Sequence, residues 1–224
     1  MLEVILDTET TGLSTAEKHR VVEIGCIELN NQIATGKVFH HYLNPKRAVS
    51  PDAFKIHGYS EEFLSDKKTF AEIADGFLNF IKGKKIIIHN AGFDLSFLNY
   101  ELKLAGKKNM IKDNIVDTLE IARQKYPGSQ NSLDALCKRF HIDNRRRTKH
   151  NALIDCELLK EVYVNLVDQK EPKLNLENVE NIDINLKNNK SEKNDEIRKI
   201  IKPTQAEFDS HKHFLKNHLQ KNFF

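Results

Sequence analysis

Cysteine is scarce. Cys26, Cys137 and Cys156 are the three in the chain. They stand far apart, odd in number and with no C-x-x-C pair, which argues against a disulfide scaffold and fits buried, reduced thiols in a cytoplasmic protein. No His/Cys cluster has the spacing of a zinc site. Long hydrophobic runs are absent too: nothing approaches the ~18 apolar residues of a membrane span. Glu3 and Asp7 interrupt the N-terminus too early for a signal peptide, so a soluble protein away from membranes is expected. Charge of one sign is also lacking. The formal net charge is +3 over 224 residues, too little for a global field that draws in nucleic acid. There is no internal repeat. The 39% hydrophobic content suffices for a core, and the length suits one domain with an appendage.

The chain opens MLEVILDTETTG. Val4, Ile5 and Leu6 form a short apolar run that ends in Asp7 and Glu9. Residues i and i+2 of a strand share a face. Two carboxylates side by side repel each other unless positive charge lies between them. The stretch reads either as a strand running out into a solvated turn or as half of a metal site.

Patterning places strands at 3–7, 21–29, 36–43, 84–89 and 114–116. Helical spacing predicts a helix over 69–82, through Phe70, Ile73, Phe77 and Ile81, with Gly83 as its stop. Further helices are expected over 93–105 and near 117–125, 132–140 and 151–167. Three strands followed by alternating helix and strand predict an α/β fold, a mixed sheet covered by helices. Composition shifts near residue 169. Seven asparagines and no glycine or aromatic residue lie between Asn175 and Asn194. The expected organisation is therefore a domain over 1–168, a linker over 169–196 and a tail segment over 197–224. In the tail, Thr204 and Glu207 form a capping box, and Phe208, His211, Leu215 and Leu219 share one helical face. Such a short helix cannot bury its face alone. It reads as a docking element for a partner, or as a C-terminal helix packed on its own domain.

Two further acids stand out. Asp94 falls in the first turn of the helix after the KKIIIH strand. It is either an acid favoured by the helix dipole or a site residue just past a buried strand. Asp155 shares a helical stripe with the apolar Leu159 and Val162, where a carboxylate is costly unless paired or bound to a cation. His150 reads as lying on the loop that feeds this helix, either as a surface histidine or turned into the same site. Together the acids suggest an oxygen cage for hard divalent cations, with a neutral imidazole to take a proton. Residues 138–149 carry Lys138, Arg139, Arg145, Arg146, Arg147 and Lys149 against Asp143. That run is a solvated loop or a phosphate-facing strip.

DTETTG (7–12), HNAGFDLSFL (89–98) and HNALID (150–155) resemble, in order and spacing, the three motifs of the DEDDh 3′–5′ exonucleases. The histidine form of the third motif is H-x4-D, as in His150 to Asp155. The tyrosine form would need Tyr at position 151, which is Asn151. AFKIHGYSEEFL (53–64), YPG (126–128) and residues 131–163 extend the likeness to the proofreading subunits of bacterial replicative polymerases, over about residues 1–167.

The resemblance implies a ribonuclease H-like fold with a flexible tail ending in a short helix. It implies two divalent cations, Mg²⁺ or Mn²⁺, held by Asp7, Glu9, Asp94 and Asp155, with His150 as general base. Thr10, Leu13, Asp52 and His57 fall where the family meets the 3′-terminal nucleotide, alongside Asp7, Glu9 and Asp155. Asp52 stands where the family has Glu. The implied partners are a single-stranded 3′ end of DNA and the catalytic (alpha) subunit of the polymerase, bound through Phe208, Leu215 and Leu219. A small accessory, theta-like subunit is a further implied partner. A sliding-clamp motif is expected near Gln169-Lys170-Glu171-Pro172, where the match is poor. Two rivals stand beside proofreading: a free-standing nuclease for RNA or oligonucleotides, and a non-catalytic assembly subunit. The long tail weighs against the first, and the presence of all five site positions against the second.

Overall fold

The computed structural model describes residues 1–110, 114–167 and 203–218. These fall in two units, and each is described by itself. The expected linker 169–196, the clamp-motif position 169–172 and Leu219 lie outside the described residues.

The first unit is built on a five-stranded sheet in the order β3-β2-β1-β4-β5. β1 (Leu2–Thr10), β2 (Val21–Asn30) and β3 (Ile33–Tyr42) form an antiparallel meander. β4 (Lys85–Ile88) and β5 (Ile115–Asp117) run parallel to β1. β1 is thus central, with Val4, Ile5 and Leu6 wholly buried. β4 is a continuous apolar run, as expected of a strand covered on both faces. The bare edge lies at β3, whose first residues are exposed.

Helices cover both faces. α3 (Phe70–Ile81) and α4 (Ala91–Leu104) bury Phe70, Phe77, Phe97 and Leu98 against one side. α5 (Thr118–Lys125), α6 (Leu133–Arg139) and α7 (Ala152–Leu166) pack Ala122, Leu136, Leu159 and Val162 against Ile5, Ile27 and Ile87 on the other. All three cysteines are buried and free. Short helices α1 (Pro51–His57) and α2 (Glu61–Ser65) were not expected from apolar spacing. Ser50 and Ser60 cap them through bonds from Ala53 N and Phe63 N.

Three local devices aim the site-bearing elements. Gly25 sits opposite Asp7 on β2, and a Cβ there would lie 2.7 Å from the Ala152 carbonyl carbon. The first turn of α7 therefore lies directly on the sheet. Asn151 caps α7, accepting from Ile154 N at 3.0 Å. The Asp117 carboxylate accepts from Asn90 N at 3.0 Å and Ala91 N at 2.9 Å, and so fixes the start of α4.

In the second unit, α8 spans Gln205–His218. The expected capping box is present: Thr204 N and Oγ1 donate to Glu207 Oε2 at 2.8 and 2.9 Å, and Glu207 N reaches Thr204 Oγ1 at 3.3 Å. Phe208 is exposed and Leu215 half-buried. No helix among the described residues is long and apolar enough to cross a membrane.

Candidate active site

β1 ends in Asp7, Thr8, Glu9 and Thr10, with a register shift between Glu9 and Thr10. Asp7 and Glu9 line a cavity of about 1060 Å³. α4 contributes Asp94 from its first turn, and α7 contributes Asp155 from its own. His150 precedes the Asn151 cap, and its N–H donates to Ile56 O at 3.2 Å, so the end of α1 holds the loop. Thr10, Leu13, Asp52 and His57 line the same cavity. Every domain residue expected in the site is therefore brought to one place.

The individual environments differ. Glu9, Asp94 and Asp155 are buried, whereas Asp7 is partly open to the cavity. Asp94 Oδ1 accepts from Thr8 N at 3.0 Å and Thr8 Oγ1 at 2.7 Å. His150 is half-exposed, with Nδ1 at 3.7 Å from Asp155 Oδ2 and 4.0 Å from Glu9 Oε1. Among the described residues, Glu9, His150 and Asp155 each bring one ligand atom to within 4.8 Å of the others. Leu13 stands 81% exposed on the rim. Asp52 is exposed and paired with Lys55 at 3.0 Å. His57 is buried, stacked on Tyr59, and accepts from Tyr59 N at 3.0 Å. Its buried Nε2 leans toward the Thr10 backbone without a well-formed hydrogen bond.

Electrostatics make the cluster expensive. Burial, then Asp94, Glu9 and Asp155, push the Asp7 carboxyl well above the usual carboxylate range. Burial, Asp155 and Glu23 push Glu9 up to about 8. Burial pushes Asp94 up to about 7, against the Thr8 bonds that pull it down. Burial and Arg147 lower His150, which keeps its imidazole neutral at neutral pH. Carboxylates gathered this way call for positive charge, and an all-oxygen set suits a hard divalent ion. The donor set fits such ions.

Part of that charge comes from a residue read differently in the sequence. Arg147 was expected on a solvated or phosphate-facing strip. Instead its side chain is buried, forked onto Asp155 at 2.5 and 2.8 Å. The strip is not one surface: Arg145 folds back on Asp143, and Arg147 turns inward.

A second residue went unnoticed. Glu23, facing Glu9 across the β1–β2 ladder, is wholly buried. It accepts from His40 Nε2 at 2.7 Å, Tyr59 OH at 2.7 Å, Asn151 Nδ2 at 2.8 Å and Ala152 N at 3.0 Å. It pins the start of α7 to the sheet and to the loop after α1. An acid inside the β-branched run VVEIGCIEL was the available signal.

A mixed sheet ending in an acid cage beside a loop histidine defines an exonuclease of the DEDDh type, a site for divalent metal ions. Residues 4–163 match the family described as exonuclease, RNase_T. The nuclease domain of 3′hExo, a DEDDh family member solved with rAMP, superposes with a TM-score of 0.64 at 19% identity, over 75% of this chain and 92% of that one. This likeness carries the fold. The DNA polymerase III subunit epsilon of Rickettsia felis is 50% identical over 97% of each chain. That of Escherichia coli K12 is 48% identical over 72% of this chain and 70% of its own. The chain belongs to the exonuclease family, among the DNA polymerase III epsilon subunits.

Proposed function

We propose that this chain is the proofreading 3′–5′ exonuclease subunit of a bacterial replicative DNA polymerase, removing mispaired 3′-terminal nucleotides in the cytoplasm. The observation that carries this reading is the near end-to-end similarity to epsilon subunits, together with the acid cage. Asp7, Glu9, Asp94 and Asp155 would hold two divalent cations, Mg²⁺ or Mn²⁺. When bound, the ions supply Lewis-acid charge at the scissile phosphate and at the leaving oxygen. His150, neutral near pH 7, accepts the proton of the attacking water. Water adds to phosphorus, the bond to the 3′ oxygen of the preceding nucleotide breaks, that oxygen takes a proton from solvent to become the new 3′ hydroxyl, and a nucleoside 5′-monophosphate is released. Thr8 steadies Asp94, and the Asn151 cap steadies Asp155. Leu13 offers an apolar surface to the terminal base, with Thr10, Asp52 and His57 around the sugar. Asp52 leaves its pair with Lys55 to do so.

The tail supplies the tether. Phe208 and Leu215 of α8, with Leu219 beyond the described residues, are the proposed contacts for the polymerase alpha subunit, in a helix-in-groove mode. A small theta-like subunit is a further proposed partner.

The test is digestion of matched and mispaired primer ends, with and without the polymerase subunit, in Mg²⁺, Mn²⁺ or EDTA. Faster metal-dependent release of mononucleotides from mispaired ends is expected. A chain inert on every DNA end in both metals would overturn the reading.

A further inference from the structure

The guanidinium of Arg147 is committed on three sides. Nε and Nη2 reach Asp155 Oδ1 and Oδ2 at 2.5 and 2.8 Å. The same Nη2 lies 2.9 Å from His150 Nδ1. Nη1 reaches Asp134 Oδ2, on the first turn of α6, at 2.7 Å. A guanidinium has donors and no acceptor. His150 Nδ1 is therefore the accepting nitrogen, and the neutral ring carries its proton on Nε2. One side chain thus covers both oxygens of Asp155 and the basic nitrogen of His150. It is only 8% exposed, so its charge depends on these partners rather than on water.

We propose that Arg147 is a positioning residue that couples cation loading to release of the base: a divalent cation and the guanidinium compete for Asp155, and the arginine that yields also uncaps His150. The inference rests on Asp155 as a ligand and His150 as the base, as proposed above. Asp134 is the contact that persists. It is half-exposed and free of the cage, so it keeps the displaced guanidinium close by. A fork is needed for this role, because only a planar pair of donors covers two carboxylate oxygens at once. Competition of this kind lowers apparent metal affinity by the fraction of molecules in which Asp155 is free.

The test is titration with Mn²⁺, followed by electron paramagnetic resonance, on the full chain and on Arg147→Gln, Arg147→Lys, Arg145→Gln and Asp155→Asn. Arg147→Gln should bind about tenfold more tightly, and Arg147→Lys, which keeps the charge but loses the fork, about threefold. Arg145→Gln removes an equal charge that is paired with Asp143 outside the cage, and should change affinity less than about twofold. In parallel, ¹⁵N spectra should find the His150 proton on Nε2 in the metal-free wild type. In both Arg147 variants, metal-free, the Nδ1 resonance should move toward its position in the Mg²⁺-loaded wild type, with the proton still on Nε2, because the hydrogen bond from the guanidinium is gone. Arg147→Lys and Arg147→Gln binding Mn²⁺ no better than wild type, or leaving the His150 Nδ1 resonance where it stands in the metal-free wild type, would overturn the coupling. If Asp155→Asn binds Mn²⁺ normally, the metal-site reading fails instead. If Asp155→Asn loses Mn²⁺ while the Arg147 variants match wild type, the coupling alone fails.

Discussion

Gly25 of β2 and Ala152 of α7 meet backbone to backbone. No side chain fits between them, since a Cβ on Gly25 would come within 2.7 to 2.9 Å of the Ala152 carbonyl and Leu153 N. Neither side is a flexible tip that yields cheaply. Gly25→Ala should lift the first turn of α7, destabilising the domain by about 1–3 kcal/mol and carrying Asp155 away from Glu9. Denaturant unfolding and Mn²⁺ titration together check this. Wild-type stability with wild-type metal affinity would mean that the helix has room to move.

Asp7 sets stability against chemistry. Its carboxylate is opposed by burial and by three neighbouring acids. Asp7→Asn should therefore raise metal-free stability by about 1 kcal/mol, or ~2–4 °C in melting temperature. The same change should cost several kcal/mol of transition-state stabilisation, because a ligand is lost. Retention of more than about a tenth of the activity would remove Asp7 from the metal set.

His150 is expected to act on the proton rather than on the ions. His150→Ala should lose a factor of ~10²–10⁴ in turnover, with Mn²⁺ affinity within about threefold of wild type. His150 stands with Glu9 and Asp155 among the residues that could hold an ion, its Nδ1 3.7 Å from Asp155 Oδ2. A parallel loss of affinity would therefore make it a ligand.

Stability should depend on pH in opposite senses with and without metal. Glu9 at about 8 and Asp94 at about 7 hold protons more tightly folded than unfolded, where 4.5 and 3.8 are ordinary. Their contribution is full below those ordinary values and is lost as pH rises through 7 and 8. His150 is lowered, so its contribution is present above about 6.5 and is lost on acidification. The window from pH 7 to 8 isolates the acids, lying above the histidine range and below the range in which the three buried thiols, also raised by burial, begin to contribute. In EDTA, stability should fall there by up to ~1.4 kcal/mol per pH unit for each proton released. Saturating Mg²⁺ should flatten or reverse the slope. A rise in EDTA over this window would contradict the burial-driven shifts.

Catalysis and docking should separate at Val167. Truncation there keeps Asp7, Glu9, Asp94, His150 and Asp155, so the rate on single strands should be unchanged. Co-purification with the polymerase alpha subunit should vanish. Phe208→Ala with Leu215→Ala should weaken that contact by ~2–4 kcal/mol. Undiminished binding by the truncated domain would move the docking surface to the nuclease. Loss of single-strand activity would end the separation of roles.

Strands and long helices were legible because their apolar residues keep a period. β2, α3 and α7 fall within a residue of expectation, whereas β1 runs three residues past its expected end, to Thr10, and so carries Glu9 inside the strand. α1 and α2 escaped because seven- and five-residue helices carry too few turns to show one. The capping serines and Pro51 were the signal left unused. The acids of the site were legible as costs: Asp155 on a core stripe is unaffordable alone. Arg147 was not, because a run of three arginines gives no sign of which one turns inward. That choice is made in three dimensions, by Asp155 and Asp134.

Glu23 is a centre with many spokes. Removing His40, Tyr59 or Asn151 singly takes away one donor, and the carboxylate keeps the others. Removing Glu23 takes the shared acceptor from all of them at once and leaves the buried Ala152 N without it, while Asn151 falls back on Tyr42 OH and Tyr59 OH. The node is therefore tolerant at its edge and brittle at its middle. Sequence drift can explore the rim one step at a time. A new central residue becomes viable only after several rim positions have already changed, so routes through this part of sequence space are few and ordered.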